Sequence, residues 1–128
     1  MAEMANYLEN ALINATLRNT AYTSPATVYL ALYTTNPTDA DAGTEVSGGA
    51  YARQSITFGA PSDGVSTNSA VIEYPQATAS WGTVAYVGIR DASTAGNLLY
   101  HSPLTTSKAI EIGDIFKVSA GSLSVTLS

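Results

Sequence analysis

The chain has no cysteine, which excludes disulfides and thiolate metal centres and leaves the redox compartment open. Charge is scarce as well. Asp, Glu, Lys and Arg make up 12% of the 128 residues, against about 25% in an average globular domain. Only Arg18, Arg53, Arg90, Lys108 and Lys117 are basic, and the net charge is −5. Five scattered cations cannot form the basic stripe that releases counterions from a phosphate backbone, so a nucleic-acid partner is not expected. No apolar run approaches the ~20 residues of a membrane-spanning helix, and residues 1–20 do not read as a secretory signal. Without such a signal, the sequon Asn14-Ala15-Thr16 reads as a chance match.

Hydrophobic residues account for 45% of the chain. That share and this length suit one domain, residues 1–128, with a real core. The polar surface must then be mostly Ser, Thr, Asn and Gln. A weakly charged surface of this kind fits a β-rich protein that meets other proteins.

The segment MAEMANYLENALINATLRNTAY predicts an N-terminal helical arm over residues 1–22. Met4, Leu8, Ala11, Leu12 and Ala15 recur at helical spacing and make one apolar face. Glu3 and Glu9 lie early and Arg18 late, as the helix dipole prefers. The expected stop is Thr23-Ser24-Pro25, because the residue before proline avoids the helical region.

From residue 26 the period changes to two. In ATVYLALYT, Val28, Leu30 and Leu32 share one face and Tyr29 and Tyr33 the other, which predicts a central strand buried on both sides. Residues 36–49, rich in turn formers and carrying Asp39, Asp41 and Glu45, read as an exposed acidic loop. A half-buried strand is expected over 50–58, with Tyr51 and Arg53 on its polar face. Further strands are expected at 68–74, 83–91, 97–102, 107–112, 115–119 and 122–128, with Gly113-Asp114 as a tight hairpin turn. The fold class is therefore mainly β: an antiparallel sandwich or barrel of about eight short strands, spanning 26–128, with one N-terminal amphipathic α-helix. No internal repeat is visible.

Motifs with chemical content are few. Gly48-Gly49 suggests a phosphate loop, but a strand rather than a helix follows and no Lys-Ser/Thr is near. His101 is the only histidine, so no multi-histidine metal site or His-paired carboxylate dyad is expected, and no G-x-S-x-G elbow supplies a nucleophile. Asp39 and Asp41 have the spacing that opens a calcium loop, but the sixth-position glycine and the closing glutamate are missing. Carboxylate pairs for glycoside cleavage could be drawn from Glu73, Asp91 and Glu111, as from any ten acids. Catalytic, cofactor-binding and metal residues are accordingly none. Eight tyrosines and one tryptophan are more telling, because tyrosine gives large contact area at low entropy cost. They serve a protein interface or, as Tyr29, Tyr33 and Tyr86, the core. Leu8, Leu12, Tyr22, Tyr51 and Arg53 are the candidate partner contacts.

Three stretches together, NYLENALINATLRNTAYTSPATVYLALYTTNPT, GTEVSGGAYARQSITFGAPSDG and ASWGTVAYVGIRDASTAGNLLYHSPLTTSKAIEIGD, resemble a family of small virion proteins of tailed bacteriophages. Its members are often labelled tail fibre proteins, and some are head decoration or cement proteins. The resemblance runs over essentially the whole chain. It implies a non-enzymatic structural role in the particle and carries no catalytic or ligand residues. A chain without repeats or heptads cannot itself be a fibre shaft. The expectation is therefore a capsid decoration (cement) protein on the capsid exterior, with the major capsid protein and further copies of itself, as a homotrimer, for partners. A tail fibre or baseplate component, with or without receptor binding, is the alternative. No cofactor, membrane or small-molecule ligand is expected.

Overall fold

The computed structural model describes residues 2–127. The elements follow in the order β1 (Glu3–Met4), α1 (Asn6–Leu17), β2 (Val28–Tyr33), β3 (Gln54–Ile56), β4 (Val65–Thr67), β5 (Ile72–Glu73), β6 (Gly82–Arg90), β7 (Leu98–Ile110), β8 (Lys117–Val118) and β9 (Ser124–Thr126). Five strands form one antiparallel sheet in the order β1-β7-β6-β2-β3, and two ribbons, β4-β9 and β5-β8, complete the fold. The mainly β class is as expected. Because β1 and β3 are separate edges, the sheet does not close into a barrel among the described residues.

β2 is the central strand that its two apolar faces predict, flanked by β3 and β6. Leu30 and Leu32 point into the main core with Ile56, Ile72, Tyr74, Trp81, Val84, Val87, Ile89 and Phe116. Ala31 and Tyr33, on the opposite face, are also fully buried. Four aromatics lock this core. Tyr51 stacks on Tyr74 with centroids 5.9 Å apart, and Trp81 meets Tyr51 edge-on at 5.5 Å. Phe116 meets Tyr74 at 5.7 Å. Such offset and edge contacts place positive ring edges against negative ring faces.

The helix is shorter than the 1–22 arm. Glu3 and Met4 pair with His101 and Tyr100 as an edge strand, so the chain is extended before α1 begins. At the other end Asn19 adopts φ 52°. Thr20 N–H returns to the Asn14 carbonyl at 3.0 Å. Asparagine tolerates this left-handed conformation and stops the helix well before the proline at position 25. α1 lies against β7 with Leu8 buried.

Several strand boundaries also move. Gly48, Gly49 and Ala50 all have positive φ (75°, 60° and 69°), so the expected 50–58 strand shortens to β3. The 97–102 and 107–112 candidates fuse into β7. There Tyr86 faces Pro103 and Val84 faces Lys108, leaving residues 104–107 as a bulge opposite Ala85. Pro103 has no N–H to donate, which favours such an irregularity. The 68–74 candidate survives only as β5. The turn at Gly113-Asp114 exists, with Asp114 N–H on the Glu111 carbonyl. It is not a hairpin, because β8 pairs with β5 rather than with β7.

Candidate functional site

The acids of loop 36–49 turn back onto the sheet, and each meets a base. The loop is fastened first by its backbone: Val46 N–H bonds the Leu32 carbonyl at 2.9 Å, Tyr33 bridges Glu45, and Pro37 is fully buried. Thr38 and Asp41 sit at φ 56° and 57°.

Glu45 accepts from Arg53 Nε at 2.8 Å, from Arg53 Nη2 at 2.7 Å and from the Tyr51 hydroxyl at 2.6 Å. Arg53 Nη1 reaches on to the Ala92 and Ala95 carbonyls, and only 7% of its side chain is exposed. Burial alone would raise the Glu45 carboxyl. The Arg53 and Tyr51 hydrogen bonds and the charges of Arg53 and Arg90 outweigh it and hold the group below the usual carboxylate range. Burial and the same carboxylate push the Tyr51 hydroxyl far up, so it stays a donor.

Asp41 forms the matching fork with Arg90, at 2.7 and 2.9 Å. Arg90 also donates to the Tyr33 hydroxyl and to the Ala95 and Gly96 carbonyls. Those five bonds use all five guanidinium N–H groups. Burial disfavours the Arg90 charge, but its bonds to Asp41 and Tyr33 prevail and the group stays charged. Both arginines thus tie loop 36–49 to the 91–97 turn, Arg90 with all five of its N–H groups and Arg53 with four.

The third acid, Asp39, places Oδ1 2.7 Å from His101 Nε2. Glu3 Oε2 lies 3.9 Å from the same nitrogen. The single histidine therefore does collect two carboxylates, contrary to the expectation from sequence, because β1 and the loop converge on β7. A recess of 430 Å³ opens here, and no serine is among its lining residues.

The candidate contact residues divide into two groups. Leu8 is buried inside the domain, and Tyr51 belongs to the aromatic core. Arg53 is tied to Glu45 as described. Leu12 and Tyr22 are half-buried. Partial burial first, and then Tyr7, Asp91 and Tyr100, raise the Tyr22 hydroxyl. The exposed apolar side chains of the helix are instead Tyr7, Ile13 and Leu17, the last 78% exposed. Outside the helix, Val71, Ile112 and Ile115 are exposed as well. Ile13 and Leu17 fall outside the Met4/Leu8/Leu12 stripe, and their being apolar off the core face was the available signal. Of the eight tyrosines, Tyr33 and Tyr74 are fully buried, while Tyr29 and Tyr86 are half-buried.

A family model described as Podophage GP4 fiber I protein gp80 matches residues 3–126. No curated protein matches the chain.

Proposed function

The chain belongs to the family described as Podophage GP4 fiber I protein gp80, and on that premise we propose that it is a compact, non-shaft module of a fibre on the outside of the virion. Its role in the particle is structural and non-enzymatic. The observation that carries the fibre reading is the family match, which spans the helix and every strand. The domain works as a rigid module in this reading. Its apolar helix face, Ile13 and Leu17, docks on a neighbouring copy or chain, and symmetric repetition supplies the affinity. A homotrimer is the arrangement that suits a fibre.

Capsid decoration is the second reading, favoured by the absence of repeats or heptads from which a shaft could be made. In that case the same face bridges major capsid protein subunits. One experiment separates the two: immunogold labelling of intact particles with an antibody against this chain. Label on the tail or its fibres supports the fibre reading, and label spread over the head replaces it with decoration. Native mass spectrometry of the purified protein tests the trimer.

A further inference from the structure

The geometry points to a divalent transition-metal site built from His101, Asp39 and Glu3, with zinc as the representative ion. Three segments distant in sequence deliver these groups. His101 stands on β7 and is 4% exposed. Glu3 is its register partner on β1. Asp39 comes from the loop, whose backbone carbonyl at that residue accepts the Asn6 N–H at 2.9 Å. One ligand atom from each lies within 4.8 Å of the other two. Two donors held about 2.1 Å from a tetrahedral zinc stand about 3.4 Å apart. The observed separations from His101 Nε2, 2.7 Å to Asp39 and 3.9 Å to Glu3, bracket that value. Little motion is needed, and Glu3, whose side chain is 71% exposed, is free to make it.

Donor chemistry narrows the ion. One imidazole nitrogen with two carboxylate oxygens is a borderline set that suits zinc, nickel or cobalt better than calcium or magnesium, which take oxygen ligands alone. The recess in front of the triad leaves room for water in the remaining positions, with Asn6, Asn36 and Thr38 around it. The bound ion clamps the N-terminal strand and the loop to β7. It replaces the single Asp39–His101 hydrogen bond by bonds to all three groups.

The test is calorimetric titration of chelator-treated full-length protein with zinc chloride, paired with thermal melts in zinc and in calcium. One equivalent should bind, and zinc at a hundred times its Kd should raise Tm by on the order of 10 °C. Calcium at the same concentration should leave Tm unchanged. Glu3→Gln alters an exposed side chain and should keep the fold while weakening zinc at least tenfold. Asp39→Asn should do the same, and His101→Ala should abolish binding. No zinc-dependent shift in the wild type overturns the site. So does an equal shift in the Glu3→Gln/Asp39→Asn double variant. A larger response to calcium than to zinc overturns the choice of ion class.

Discussion

Arg53 grips both oxygens of Glu45, at 2.8 and 2.7 Å, across eight residues of chain that contain three consecutive left-handed positions. A bidentate fork of this kind fixes orientation as well as distance. Here it pins the exit of loop 36–49 against the start of β3, and the guanidinium carries the link on to the 91–97 turn. Removing one partner leaves the other poorly solvated. Glu45→Gln should therefore cost about 3 kcal/mol. Arg53→Met should cost a similar amount, and the double variant clearly less than the two together. Urea unfolding of the three variants measures this, and strictly additive losses would contradict it.

The same carboxylate makes stability depend on acid. Glu45 holds its proton less tightly in the folded protein than in the unfolded chain, where glutamate titrates at about 4.3. Its contribution is therefore complete above about pH 4.3 and drains away as pH falls through the lower folded value. Urea midpoints measured from pH 6 downward should drop more steeply below about 4.3 in the wild type than in Glu45→Gln. Parallel curves would remove Glu45 from the account.

Gly48 and Gly49 are adjacent, yet they should respond differently to alanine. Both have positive φ, but a Cβ at Gly48 meets open space, whereas at Gly49 it would press on Trp81 Nε1 at 2.9 Å and the Ala79 carbonyl at 3.0 Å. Gly48→Ala should cost about 1 kcal/mol for conformation alone. Gly49→Ala should cost more, because it also displaces the indole that donates to the Gly49 carbonyl. Thermal melts rank the two, and tryptophan fluorescence should change only in the second.

Asn68 anchors the C-terminal ribbon. It is 1% exposed, donates to the Ala70 and Ser119 carbonyls and accepts the Leu123 N–H. Asn68→Ala strands buried partners and should cost about 3 kcal/mol. Hydrogen exchange should quicken first at Gly121 and Leu123, whose backbone groups also bond Asn68. Uniform acceleration over the whole chain would argue against a local anchor.

The helix has an inner and an outer apolar set, and they should separate by assay. Leu8→Asp puts a charge into a buried contact with the sheet and should cost at least about 3 kcal/mol. Ile13→Asp with Leu17→Asp should leave the melting temperature of the isolated protein within a few degrees. It should also abolish self-association in native mass spectrometry and incorporation into particles. Normal incorporation of the outer variant would move the interface elsewhere.

Much of the fold was readable locally. The alternation in VYLALY announced a strand buried on both faces, and β2 lies mid-sheet with neighbours on both sides. The Met4/Leu8/Leu12 spacing announced a helix, although its start yielded to the pairing of Glu3 and Met4 with β7. The strands at 97–102 and 107–112 could not be joined from sequence, because a bulge is defined by the partner strand and not by its own residues. Nor did Asp39, Asp41 and Glu45 announce their partners. In sequence they are acids in a turn-rich segment, and that composition describes a solvated loop equally well.

By itself, then, the sequence determined the β-rich class, the amphipathic helix and the lack of any basic stripe, since periodicity and composition report each residue's exposure to water. Only the tertiary structure decided which groups meet. Asp39 reaches His101 across 62 residues and Asp41 reaches Arg90 across 49. Contacts of that range arise from strand order in the sheet, and no local pattern of hydrophobicity or charge encodes it.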